Sequence, residues 1–124
     1  MIFTPEMNNG RNIFVFGSNE AGNHSGGAAR EAFMHWGAPL GRGFGPSGFT
    51  FALPTMDWEM SPLSLEVIRH YVDRFLAYAK TQPKKTFLIT AIGTGICGYT
   101  AAQIAPMFAQ APANCILTEG WQSK

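Results

Sequence analysis

The sequence predicts an α/β protein built on a mainly parallel sheet, and three observations carry that prediction. Four short apolar runs have strand length and composition, three longer segments with helical periodicity separate them, and glycine gathers at the ends of two of the runs. Strands alternating with helices in the order β-α-β-α-β-α-β imply parallel pairing with right-handed crossovers. The helices then cover the sheet as a three-layer α/β/α sandwich. Residues 1–124 are read as one domain, long enough to bury about two-thirds of the unfolded chain's surface. There is no repeat, charge block or linker-like stretch that would mark a boundary.

Each element has its own signal. Asn12-Ile-Phe-Val-Phe16 and Thr86-Phe-Leu-Ile-Thr-Ala-Ile92 are nearly continuous apolar runs, as expected of parallel strands covered on both faces. Phe49-Thr-Phe-Ala-Leu53 and Asn114-Cys-Ile-Leu-Thr118 are the other two strands. The aromatics Phe14, Phe16, Phe49, Phe51 and Phe87 on these runs are read as core. Gly26 to Trp36 places Ala29, Ala32, Phe33 and Trp36 on one helical stripe, with Gly37 as its C-cap. Pro62 to Lys80 is the clearest helix: Ser61 caps it, Pro62 sits in its first turn, and Leu65, Ile68, Val72, Phe75, Leu76 and Ala79 form its apolar face. Thr100-Ala-Ala-Gln103 has the spacing of a capping box, and Pro106 shortens the helix that follows. Ile2-Phe3 is open between an added edge strand and a loose arm.

Composition removes several classes of function. Apolar residues make up 46% of the chain, which excludes a disordered tail. Charged residues make up 14%, against about 25% in an ordinary domain. The net charge is +1 and the densest basic run is Lys84-Lys85, so no basic stripe is available for a nucleic-acid backbone. No stretch reaches the ~18 apolar residues of a membrane span. Met1 to Arg11 carries Pro5, Glu6 and Asn8-Asn9-Gly10 where a signal peptide needs an apolar core. Cys97 and Cys115 form no C-x-x-C pair and are read as small hydrophobes. The expectation is a cytoplasmic protein with neither a nucleic-acid nor a membrane partner. No His, Cys, Asp or Glu cluster has metal-ligand spacing, so neither a metal nor a cofactor is expected.

Glycine carries the functional signal. Twelve of the 14 glycines fall between Gly17 and Gly48 or between Gly93 and Gly98, and both windows begin where a predicted strand ends. Ligands of open α/β sheets bind at the carboxyl ends of strands, where strand order switches. In Ile92-Gly-Thr-Gly-Ile-Cys-Gly-Tyr-Thr100, three glycines in six residues let the backbone turn and approach a ligand closely. Successive N–H groups in such a turn form an anion nest, and phosphate can be held there without lysine. Tyr99 beside the loop can cover a sugar or base. The alternative is a tight strand-to-helix turn without a ligand.

The first window, Phe16-Gly-Ser-Asn-Glu-Ala-Gly-Asn-His-Ser-Gly-Gly-Ala28, repeats the strand, glycine loop, helix order. Asn19 offers an amide to a ribose hydroxyl or a water; the alternative is that Asn19, Asn23 and Ser25 only cap and turn. Gly41-Arg-Gly-Phe-Gly-Pro-Ser-Gly48 precedes a strand instead of opening a helix, so it fails as a dinucleotide motif. It is read as a mobile loop rimming the site, with Arg42 within reach of a phosphate.

These residues resemble the macrodomain family, the ADP-ribose-binding α/β/α module. Leu88-Ile-Thr-Ala-Ile-Gly-Thr-Gly-Ile-Cys-Gly-Tyr99 is similar to that family's strand and phosphate loop, with its Thr-Gly-Ile-x-Gly-Tyr/Phe run. The first window resembles a shortened Asn-Ala-Ala-Asn … Gly-Gly-Gly segment, with Asn19 on the last Asn and Gly26-Gly27 seven and eight residues later. The likeness covers roughly Ile13 to Gly37 and Phe87 to Met107. It implies that Thr94, Gly95, Ile96, Cys97, Gly98 and Tyr99 line a diphosphate and the distal ribose, with Asn19, Gly26 and Gly27 facing that ribose. Gly17, Ser18 and Gly93 complete the two loops. Two departures stand out: nothing in Met1 to Arg11 matches the family's adenine-reading Gly-Asp-Ile, and Ala29 stands where its hydrolases often carry Asp.

Three functional classes follow. The chain binds ADP-ribose or a related nucleotide diphosphate sugar; or it also hydrolyses an ADP-ribose adduct; or it is a ligand-free interaction module on the same fold. Hydrolysis would use Asn19 and His24 to orient water, His24 being a loop side chain that titrates near neutrality. Glu20 is a second acid or base candidate. Cys97, near a helix N-terminus, is a candidate nucleophile without an adjacent base. Asp57-Trp58-Glu59 is open between touching a ligand base, with Trp58 stacking, and being an ordinary loop. His35 and His70 lie in predicted helices and are read as structural.

Overall fold

The computed structural model describes residues 11–22, 27–38, 41–95, 97–118 and 120–121. The elements are β1 Asn12–Asn19, α1 Gly27–His35, β2 Gly45–Ser47, β3 Thr50–Met56, α2 Leu65–Lys80, β4 Thr86–Ile89, α3 Ala101–Ile104, a 3-10 helix over Ala105–Phe108, and β5 Cys115–Leu117. The strands form one mixed, mostly parallel sheet in the order β2-β3-β1-β4-β5. β1 pairs in parallel with both β3 and β4, and β4 in parallel with β5. β2 is the antiparallel exception, joined to β3 through Gly48 and Phe49.

Alternation along the strands sorts the core into two apolar clusters. Ile13, Val15, Phe51 and Leu53 pack with α2 residues Ile68, Val72, Phe75, Leu76 and Ala79, and with Ile104, Met107 and Phe108. Their neighbours Phe14, Phe16 and Ala52 belong to the other cluster, with Ala29, Ala32 and Trp36 from α1. Successive strand residues point to opposite faces; α1 packs with one set of strand side chains, and α2 and the 3-10 segment pack with the other. Each fully buried aromatic contributes about 1.5–3 kcal/mol by leaving water. Phe51, Phe75 and Phe87 form an edge-to-face chain with centroids 4.9 and 5.4 Å apart, and Phe14 meets Trp36 at 5.2 Å.

Several element boundaries differ from expectation, each for a local reason. β1 continues through Gly17, Ser18 and Asn19, because pairing with Leu53, Pro54 and Met56 holds these residues extended. Gly17 therefore lies inside a strand. Pro54 removes a ladder donor, and the register slips between Ser18 and Asn19. β4 stops at Ile89 instead of Ile92; the Ile92 N–H turns back to the Thr90 carbonyl at 2.7 Å. α2 begins at Leu65 with Ser64 as its cap, accepting from the Val67 N–H at 3.2 Å. Pro62 instead bridges to Met56 ahead of the helix.

Gly45–Ser47 is a paired edge strand, not the free loop the sequence suggested. Phe44 wedges between Phe51 and Tyr71, at 5.4 and 5.2 Å, and the Arg74 guanidinium lies 4.4 Å over its ring. Phe33 and Phe49 are exposed, not core. α1 approaches the sheet through alanines, leaving Phe33 at the margin, and Phe49 occupies the β2–β3 turn. Other expectations hold: Gly37 ends α1 with φ +83°, the Gln103 side chain accepts from the Thr100 N–H at 2.9 Å, and α3 lasts one turn before Pro106.

Candidate functional site

The two glycine windows meet at the carboxyl end of the sheet. From β1 the chain leaves through α1 toward β2 and β3; from β4 it leaves through α3 toward β5 on the opposite side. Adjacent parallel strands whose connections diverge define the switch point at which α/β sheets open a crevice. β1 and β4 are that pair. A Cβ on Gly17 would stand 3.5 Å from the Ile92 Cβ and 3.6 Å from the Gly93 nitrogen, so the strand and the second loop are in contact.

The second loop is folded by its own hydrogen bonds. The Thr94 hydroxyl donates to the Ala91 carbonyl at 2.6 Å. The Gly98 N–H donates to Gly95 and the Tyr99 N–H to Gly93, at 3.0 and 2.9 Å. Gly93 and Gly98 both take positive φ, +73° and +89°, which favours glycine strongly. Two of the loop's side chains turn inward: the buried Cys97 thiol donates to the Thr55 carbonyl at 3.3 Å, and the Tyr99 hydroxyl donates to the Leu63 carbonyl at 2.7 Å. At Gly95 and Gly98 the loop exposes bare backbone. A Cβ added at Gly95 or Gly98 meets nothing within 4 Å.

β3 supports this loop through residues that motif reading missed. Slippage at Pro54 leaves Thr55 out of register between Ser18–Pro54 and Asn19–Met56, its hydroxyl donating to the Ser18 carbonyl at 3.4 Å. Its carbonyl takes both the Cys97 thiol and the Leu63 N–H. A proline directly after the predicted strand Phe49–Leu53 was the available signal. Tyr71 of α2 was also missed, because helical periodicity assigns it to a margin. Its hydroxyl donates to the Glu20 carboxylate at 2.7 Å, and burial, with Glu20 beside it, pushes its pKa upward.

The first loop is held mainly by backbone. Ser18 and Asn19 are buried, and the Ser18 hydroxyl donates to the Gly43 carbonyl. Gly22 and Gly43 lie where two backbone segments touch: a Cβ on either would fall 2.4 Å from a backbone atom, of Arg42 or Asn19 respectively. Arg42 lies 3.4 Å from the Pro46 carbonyl of its own hairpin. Gly27 is the first residue of α1. His24, Gly26 and Ile96 lie outside the described residues, as does Ile2-Phe3.

Chemically, the arrangement offers a glycine-lined backbone cradle beside a buried amide-bearing strand end. Burial raises the Cys97 thiol above its ordinary value, the opposite of what a nucleophile needs. Among the described residues, no three His, Cys, Asp or Glu side chains gather as a metal site, and no helix is long and apolar enough to cross a membrane. His35 is exposed and faces Glu31 one turn away at 3.9 Å. Comparisons with protein families, curated proteins and solved structures find no match to this chain.

Proposed function

We propose that the protein binds ADP-ribose or a related nucleotide diphosphate sugar across the carboxyl ends of β1 and β4. In this reading the fold is a macro-like three-layer α/β/α sandwich, consistent with the apolar clusters on opposite sheet faces. The carrying observation is the exposed backbone at Gly95 and Gly98 of the loop that follows β4 at the switch point, open to a ligand at both positions. Backbone N–H groups of such a turn bind a diphosphate without a cationic side chain, which suits a chain with 14% charged residues. Asn19, Gly26 and Gly27 face the ribose, as the resemblance implies. A hydrolase would add Asn19 and His24 as groups orienting water at that ribose.

Calorimetric titration with ADP-ribose, with AMP and ribose 5-phosphate as controls, tests the reading. Binding of ADP-ribose and not of the fragments is expected. Gly95→Val places a side chain in the open crest at a position without positive φ, so the variant should fold normally. Its affinity should fall about tenfold or more, equivalent to at least about 1.4 kcal/mol. Normal folding with undiminished affinity would remove the loop from the site, and absence of wild-type binding would favour the ligand-free module.

A further inference from the structure

We propose that Trp58 is the stacking platform for the aromatic base of the nucleotide held at the Gly93–Tyr99 loop; the assignment rests on the binding reading above. Trp36 and Trp121 are buried, whereas Trp58 is 71% exposed, with Met60 of the same turn 44% exposed. The turn presenting them is tightly specified. One Asp57 carboxylate oxygen accepts from the Glu59 and Ser61 N–H groups at 2.8 and 3.0 Å. The Asp57 N–H donates to Ser61 and the Met60 N–H to Asp57, at 2.8 and 3.1 Å. Met60 is held at φ +64°, a conformation uncommon without glycine. A ring presented by so constrained a backbone has little backbone freedom left to lose when a ligand covers it.

Position selects the ligand. The turn follows β3, at the same end of the sheet as the glycine loop, because β3, β1 and β4 run parallel. Both of its flanks are tied to that loop: Thr55 accepts from Cys97 before the turn, and Leu63 accepts from Tyr99 after it. β3 and β4 are separated by β1, two strand spacings or about 10 Å, and the loop crosses that span to reach Thr55 and Leu63, so a nucleotide lying along the loop is carried toward the turn. Charge sets the orientation. Asp57 and Glu59 flank Trp58, so phosphate is disfavoured there by like-charge repulsion and a neutral base is not. The phosphates therefore lie on the glycine loop and the base on Trp58.

The test is titration of wild type, Trp58→Ala and Trp58→Phe with ADP-ribose, following binding heat and tryptophan emission. Since the other two tryptophans are buried, iodide-accessible emission reports Trp58. ADP-ribose should quench it and shield it from iodide. Trp58→Ala should weaken binding about tenfold, within the range for base–aromatic stacking, and Trp58→Phe should recover most of that loss. Equal affinity in all three, with emission unmoved, would overturn the Trp58 assignment while leaving the loop site standing. Failure of wild type to bind ADP-ribose would overturn both.

Discussion

At the scale of single residues, the candidate site is notable for what its side chains do not do. Thr94, Cys97 and Tyr99 spend their polar atoms on the carbonyls of Ala91, Thr55 and Leu63. A ligand at Gly95 or Gly98 would meet backbone. Substitutions at glycine should therefore separate three roles that look alike in the sequence. Gly95→Ala enters open space at ordinary φ and should change unfolding free energy by less than about 0.5 kcal/mol. Gly98→Ala also enters open space, but φ +89° strains any L side chain, and about 1–3 kcal/mol should be lost. Gly43→Ala drives a Cβ to 2.4 Å from the Asn19 carbonyl oxygen, so the two loops must part, at about 3 kcal/mol or more. Urea unfolding of the three variants checks the order. Equal losses at Gly95 and Gly43 would contradict the described packing.

At the scale of elements, apolar patterning located every long segment and the boundaries at Asn12, Lys80 and Thr86, but misplaced others. Hydrophobicity cannot see that Gly17, Ser18 and Asn19 are held extended by Leu53, Pro54 and Met56, because those partners lie more than thirty residues away. The β2 strand was illegible for the same reason: Gly45, Pro46 and Ser47 have little strand propensity and are recruited by pairing with β3. The start of α2 is a sharper case. Ser61-Pro62 is a good helix-start signal, yet the Ser61 carbonyl and Leu63 N–H are committed to Asp57 and Thr55, so the helix waits for Ser64. Ser64→Ala should cost about 1 kcal/mol, the usual value of a lost N-cap. Ser61 bonds to Asp57 through its backbone N–H and carbonyl, so Ser61→Ala should stay within about 0.5 kcal/mol. Denaturant titration of both variants distinguishes them, and the reverse order would put the helix start back at Ser61.

At the scale of the whole molecule, topology brought the two glycine windows together. Their sequence separation gave no hint of contact, but their shared place after strands did, and the order β3-β1-β4 makes that place a switch point. The same sheet sets how the protein should respond to alkali. Cys115 begins the edge strand β5, half-buried against the first core cluster, and burial pushes its thiol from 9.0 to about 11. Cys97 and Tyr71 shift the same way. An acid whose folded pKa is raised keeps its proton in the native state while the unfolded chain ionises. Its contribution is complete below pH 9 and is lost progressively as pH climbs from 9 toward about 11. Unfolding free energy should therefore decline across that window. Cys115→Ser, which has no thiol to ionise, should decline less steeply than wild type, and that difference isolates the contribution of this residue. Parallel slopes for the two proteins would mean that water reaches the Cys115 sulfur at the sheet edge, so that β5 opens more readily than its ladder to β4 implies.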